Sequence, residues 1–320
     1  MIEFLFLVLG VALLAIGGEA LIRGSLATSR KLGVSPLLSG IVIVGFGTSA
    51  PELVVSVDAA LNARPDIAVG NVVGSNIGNI LLILGICALI TPLAVKPLVL
   101  RRDAVTVVLS SILFIVLVGG SALGQTDAVI LLIALAAYLV WSYWSERFHM
   151  APSAELHKAE AEEIPDVPRS AIWITTAVIT GLLLLIGGSK VLLMGAVGIA
   201  GYLGVSEAVI GLTLVAVGTS LPELSISVIA ALRRHADVAV GNVLGSNIFN
   251  LLGIMGISAL LQPLPVHVRV LQFDQWVMLG TSILLMLFMY TGYRLSRLEG
   301  GLLLSGYVIY AGLSFTVFGG

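Results

Sequence analysis

The feature that most restricts the fold of this 320-residue chain is a gapless internal repeat. Residues 32–61, LGVSPLLSGIVIVGFGTSAPELVVSVDAAL, align with residues 203–232, LGVSEAVIGLTLVAVGTSLPELSISVIAAL. Residues 66–89 align in the same way with residues 237–260. The offset stays at 171, and about 36 of the 62 positions from 32 to 93 are identical in the second copy. Chance similarity between apolar helices does not produce this, because the matches include Pro, Glu, Asn, Asp and Gly.

The repeat is built from membrane-crossing segments. Apolar residues make up 58% of the chain and charged residues 11%, too few charges to clothe a soluble globule of this size. A spanning helix needs about 20 mostly apolar residues. Ten stretches qualify: 3–24, 36–61, 67–91, 103–120, 126–145, 170–194, 207–232, 238–262, 274–292 and 299–318. The first apolar run, Phe4 to Ile22, exceeds a signal-peptide core and reads as a retained helix. The offset of 171 therefore covers five spans. An odd number turns the second copy upside down, as in transporters that bind cargo at the midplane between inverted repeats. The expectation is an all-α membrane protein of ten transmembrane helices. Two inverted five-helix repeats, 1–145 and 170–320, flank a polar linker at 146–169.

Lys and Arg set the orientation. Thirteen of the 16 fall in the odd-numbered connections, which the positive-inside rule places in the cytoplasm. Both termini then face outside and the linker faces the cytoplasm of a multi-pass cell (inner) membrane protein. The net charge of −2 provides no basic footprint for nucleic acid. Cys87, the one cysteine, reads as a small buried residue and excludes a disulfide or zinc framework. No Ser–His pair, catalytic Asp pair or HExxH occurs in the spans, so an enzyme is not expected, nor an organic cofactor.

Two motifs carry chemistry. In GTSAPEL (47–53) and GTSLPEL (218–224), Glu52 and Glu223 fall near the middle of spans two and seven. An acid at mid-bilayer costs roughly 2.5–3.5 kcal/mol on insertion scales, so it faces a cavity, an ion or a partner. Inversion brings the two acids together, and with no basic residue nearby they make a cation site. Hard oxygen ligands suit Na⁺ and Ca²⁺. Pro51 and Pro222 lack an N–H and release the carbonyls of Gly47 and Gly218. Thr48, Ser49, Thr219 and Ser220 share a helical face with the acids. In GNVVGSNIGN (70–79) and GNVLGSNIFN (241–250), Asn71, Ser75 and Asn79 form one polar stripe, and Asn242, Ser246 and Asn250 form its mate. Ser, Thr and Asn in membrane helices also serve simply to join helices, and Asn71, Asn76, Asn242 and Asn247 divide evenly between the two roles. Asp58 has no acidic mate, since its counterpart is Ile229; it reads as interfacial or as part of an outer ion pathway. Glu19 and Lys190, near helix ends, read as snorkelling side chains.

At these motifs the chain resembles the cation/calcium exchanger superfamily, whose Na⁺/Ca²⁺ exchangers carry paired alpha repeats. The short linker is similar to that of prokaryotic members. The resemblance implies an antiporter that lets Na⁺ in and Ca²⁺ out through shared central sites by alternating access. It implies that Glu52 and Glu223 coordinate Ca²⁺ and that Thr48 and Thr219 offer backbone oxygens. It further implies that Ser49, Ser75, Ser220 and Ser246 line sodium sites and that Asn79 is the helix-three amide. Asn250 departs from the many exchangers that carry Asp there. Two carboxylates match one Ca²⁺ or two Na⁺, which leaves the coupling ion and stoichiometry open. Proton-coupled exchange of Ca²⁺, Mn²⁺ or another divalent ion is the nearest alternative, and a passive cation channel a more distant one.

Overall fold

The structure, a computed structural model, describes residues 2–32, 36–162, 170–202 and 216–318. The start of the seventh expected span, 207–215, and linker residues 163–169 lie outside the described residues.

The described chain is almost entirely helical. Its long helices are α1 (Ile2–Leu32), the bent pair α2 (Gly40–Thr48) and α3 (Ala50–Leu61), α4 (Pro65–Ile90), α5 (Val99–Gly120), α6 (Gln125–Glu162) and α7 (Ala171–Tyr202). The second half continues with the short α8 (Ala216–Thr219), α9 (Leu221–Leu232), α10 (Ala236–Leu261), α11 (Val270–Tyr290) and α12 (Arg297–Phe318). Among the described residues, seven helices are long and apolar enough to cross a membrane, or eight if the bent pair counts as one. α6 runs on to Glu162, past the span end expected at 145, because the following residues are rich in the helix formers Ala, Glu and Lys.

Burial sorts the helices into layers. The spanning windows of α4 and α10 are 67% and 83% buried, so these two form the centre, whereas α1, α6 and α7 keep most of their apolar surface outward. Cys87 is fully buried in α4, as expected. Trp141, Trp144 and Trp276 are exposed, as interfacial belt residues are.

Small residues allow α1 and α7 to touch backbone to backbone. A Cβ on Gly181 would lie 2.8 Å from the Leu21 nitrogen and 3.0 Å from the Gly17 carbonyl oxygen.

The two copies are locally alike. The turn after α3 places Ala63 at φ 55°, and the Arg64 N–H reaches back to the Ala59 carbonyl. The turn after α9 repeats this with Arg234 at φ 61° and His235 bonded to Ala230. Both are helix ends closed through a left-handed residue. Four two-residue strands, β1 (Leu93–Ala94), β2 (Ala122–Leu123), β3 (Leu264–Pro265) and β4 (Arg294–Leu295), pair antiparallel as β1–β4 and β2–β3. Each ribbon joins one strand from each half of the chain.

Two buried ion clusters fasten the outer helices. Arg102 and Asp103, both essentially fully buried, pair through Nε–Oδ1 at 2.7 Å and Nη2–Oδ2 at 3.1 Å. Tyr138 of α6 donates to Asp103 Oδ1 at 2.9 Å, and Arg102 Nη1 reaches the Ser142 carbonyl at 3.2 Å. In the second half, Tyr310 of α12 donates to Asp274 Oδ1 at 3.0 Å, and Arg269 pairs with Oδ2 at 3.1 Å. Arg102, one of the charges the orientation rule counts, is buried in the helix packing.

Candidate ion-binding site

The chain breaks where the motif residues must turn inward. α2 and α3 meet at Ser49 with a bend of 47°, two residues before Pro51. Proline cannot donate to the Gly47 carbonyl, and the Ser49 N–H, bonded to the Gly45 carbonyl at 3.3 Å, also approaches that oxygen. So the carbonyl released by Pro51 acquires a local donor. Ser220 separates α8 from α9 in the same manner, ahead of Pro222. In both places the acid opens the next helix, Glu52 on the first turn of α3 and Glu223 on the first turn of α9. A helix N-terminus presents unpaired N–H groups and partial positive charge, which steadies a carboxylate there.

Glu52 is 1% exposed and Glu223 0%. Each acid takes a hydrogen bond from the serine of the other copy: Ser49 Oγ donates to Glu223 Oε1 at 3.0 Å, and Ser220 Oγ to Glu52 Oε1 at 3.0 Å. The two carboxyl groups lie close enough to interact electrostatically, and Thr219 faces Glu52. The second oxygen of each acid, Oε2, is buried and has no hydrogen-bond partner. No Lys or Arg forms an ion pair with either acid among the described residues. A buried carboxylate without a counter-charge costs several kcal/mol, which a bound cation relieves.

The amide stripe divides between two tasks. Asn71 Nδ2 donates to the Glu52 carbonyl at 3.2 Å and to Ser56 Oγ at 2.9 Å. Asn242 does the same to the Glu223 carbonyl at 3.1 Å and Ser227 Oγ at 2.7 Å, while its Oδ1 accepts from Thr48 at 3.0 Å. These two asparagines lock the acid-bearing helices to α4 and α10. Ser246 donates to the Gly45 carbonyl at 3.0 Å. That contact requires close backbones: a Cβ on Gly245 would lie 2.6 Å from the Ile41 carbonyl oxygen. Ser75 is buried on α4.

The amides further along remain available. Asn79 Nδ2 donates to Asn247 Oδ1 at 3.0 Å, leaving Asn79 Oδ1 buried and unpartnered. Asn250 is fully buried with neither amide atom bonded. At both places the helix loosens into π turns, Asn79–Leu84 in α4 and Phe249–Ile254 in α10. Such turns occur often at functional sites, and periodicity did not foretell them. Asn76 and Asn247 enter the same network through the Asn247 Nδ2 bond to the Asn76 carbonyl at 3.3 Å. Among the described residues no cluster of three or more His, Cys, Asp or Glu exists. The centre is thus a pair of acids surrounded by neutral oxygens.

A buried two-acid centre between duplicated, broken membrane helices defines a cation-transport protein. The sequence matches the family described as "Sodium/calcium exchanger protein" over residues 2–144 and 173–316. The chain belongs to that family. It is 32% identical to the sodium/calcium exchanger MaX1 of Methanosarcina acetivorans, over 99% of each chain. It is 31% identical to the inner membrane protein YrbG of Escherichia coli, over 97% of this chain and 95% of that one. Among solved structures it is similar to the sodium-calcium exchanger NCX_Mj soaked with zero Na⁺ and Ca²⁺. There the TM-score is 0.84 and the identity 32%, over 98% of this chain and 99% of the other.

Proposed function

We propose that the chain is a Na⁺/Ca²⁺ antiporter working by alternating access, with ten transmembrane helices arranged as two inverted repeats, 1–145 and 170–320. The observation that carries this reading is the pair Glu52 and Glu223, each held by the serine of the other copy and each with one buried oxygen free of any donor. One Ca²⁺ or two Na⁺ neutralise the pair, so the two ions compete for the same oxygens. Glu52, Glu223, Thr48 and Thr219 take the Ca²⁺ in this reading. Ser49, Ser220, Ser75 and Ser246 serve the Na⁺ positions, with Asn79 and Asn250 beside them.

The ribbons support a two-sided alternation of the connections. β1 and β4 fall in the third and ninth connections, and β2 and β3 in the fourth and eighth. Odd connections pair with odd and even with even, as connections alternating between two membrane faces require; the excess of Lys and Arg in the odd ones puts the linker at 146–169 in the cytoplasm and the termini outside.

The test is counterflow in proteoliposomes. An outward Na⁺ gradient should drive ⁴⁵Ca²⁺ uptake that saturates and stops when the gradient is collapsed. Uptake driven only by a pH gradient would replace Na⁺ by H⁺ as the coupling ion. Flux without obligatory exchange would make the protein a channel.

A further inference from the structure

α1 and α7 occupy matching places in the two copies but make unequal contacts. α1 lies along α9, whereas α7 makes no comparable run of contacts with α3, the mate of α9. At the end of the α1–α9 contact, Gly18 sits so close to Ile229 that a Cβ would collide with it. One residue on, Glu19 Oε2 meets Arg233 Nη2 at 3.3 Å, so Glu19 is a bridge and not merely a snorkelling side chain. These contacts join α1 to α9 at one end of the molecule.

The offset of 171 identifies the mates of these four residues. Gly18 corresponds to Ser189, Ile229 to Asp58, Glu19 to Lys190 and Arg233 to Asn62. At this second end the contact is not made. Val54 on α3 is 67% exposed, and Asp58 one turn further on the same face is exposed as well, whereas their mates Ser225 and Ile229 on α9 are half-buried. Lys190 is also exposed, and no ion pair holds it among the described residues. Asp58 is prepared for a partner: Asn62 Nδ2 donates to its Oδ1 at 3.1 Å and fixes the carboxylate one turn from the helix end.

From this asymmetry we infer that Asp58 and Lys190 form an alternate ion latch, made when α7 moves onto α3 and the Glu19–Arg233 bridge opens. The inference rests on the alternating-access reading. In a duplicated transporter the second state is the first with the roles of the copies exchanged, so each contact present implies its mate. Here the mates are Ser189 opposite Asp58 and Lys190 opposite Asn62, whose amide already holds the Asp58 carboxylate, so the ammonium arrives within one helical turn of that carboxylate. The unmatched aspartate thereby gains a function: without it, Lys190 would meet only the neutral amide of Asn62. Opposite latches at the two ends keep both ends from opening together.

Cross-linking tests this in the full chain carrying Cys87→Ala. One variant adds Asp58→Cys and Lys190→Cys, the other Glu19→Cys and Arg233→Cys. Both pairs straddle residues 146–169, so a protease site placed there after linking reports each link as two joined halves on a denaturing gel. Both pairs should link in turning-over proteoliposomes, and with all four cysteines present a chain linked at 19–233 should keep the thiols at 58 and 190 open to a maleimide. Failure of the 58–190 pair to link during turnover, or both links forming in one molecule, overturns the latch. Charge exchange guards against a misfolded cysteine variant. Asp58→Lys should slow exchange about fivefold, the scale of an exposed ion pair. Adding Lys190→Asp should restore it, and no restoration also overturns the latch. The links are read without reference to any ion. Mutually exclusive links without Na⁺-driven Ca²⁺ flux would therefore sink sodium coupling and leave the latch standing.

Discussion

Ser49 lends its hydroxyl to Glu223, 174 residues away in the chain, at 3.0 Å from Oε1. The reciprocal bond from Ser220 to Glu52 has the same length. Neither half of the chain therefore completes its own acid, and one oxygen of each carboxyl is left over, buried and without a donor, for the ions of the proposed exchange.

Removing either charge should stop exchange while leaving the fold intact. Glu52→Gln and Glu223→Gln are each expected to lower Na⁺-driven ⁴⁵Ca²⁺ uptake by about a hundredfold or more, the scale of deleting one member of a buried charge pair. Both proteins should stay monodisperse in detergent. A fully active variant of either would remove that residue from the site.

The cross-repeat serines should tune affinity and not speed. Ser49→Ala and Ser220→Ala each delete a hydrogen bond to an ionised group, worth about 1.5–3 kcal/mol. The half-saturating Na⁺ concentration should rise roughly tenfold at unchanged maximal rate. An unaltered Na⁺ dependence would confine the serines to holding the helices.

Asn250→Asp adds a third carboxylate next to the loosened turn of α10. Charge count tunes divalent affinity, so the half-saturating Ca²⁺ concentration should fall, by roughly tenfold. The new acid gains a proton as pH falls and loses its hold on the ion, so transport should decline more steeply on the acid side than in the parent. Unchanged Ca²⁺ dependence would show that position 250 does not face the ion.

Stability should depend on the Arg102 cluster and transport chemistry should not. Arg102→Met leaves Asp103 buried without its charge partner, a loss of about 3–5 kcal/mol. The melting temperature in detergent should drop sharply. Arg102→Met with Asp103→Leu should recover part of the loss, because two apolar groups need no partners. Equal melting of parent and single variant would make the ion pair dispensable.

The alignment of the two copies was enough to find Glu52, Glu223 and their serines, because an acid at mid-span has few structural uses and these recur in register. It also indicated the helix breaks, since Pro51 and Pro222 leave a carbonyl without its donor. The π turns at Asn79 and Phe249 have no signature in residue type, and similar turns open α2, α5 and α11. The sorting of Asn71 and Asn242 into helix fasteners, with Asn79 and Asn250 left unsatisfied, depends on tertiary placement alone. The Asp103 and Asp274 clusters left a trace that went unread, for these aspartates also stand 171 apart, beyond the best-matched segments. Charge counting had assigned Arg102 and Arg269 to the loops.

The two small ribbons have a consequence for the origin of the chain. β1 pairs with β4 while their mates β3 and β2 pair with each other. Contacts that return in mirrored order are the mark of a self-complementary two-fold interface. Such an interface suits two separate, identical proteins before it suits one. An ancestor of about half this length, inserted in both directions and joined to its own opposite, would have needed no bias of basic residues at all. In such an ancestor Asp58 and Ile229 would have been one residue, and Lys190 and Glu19 another; a single chain with a fixed direction for each half would leave both pairs free to differ.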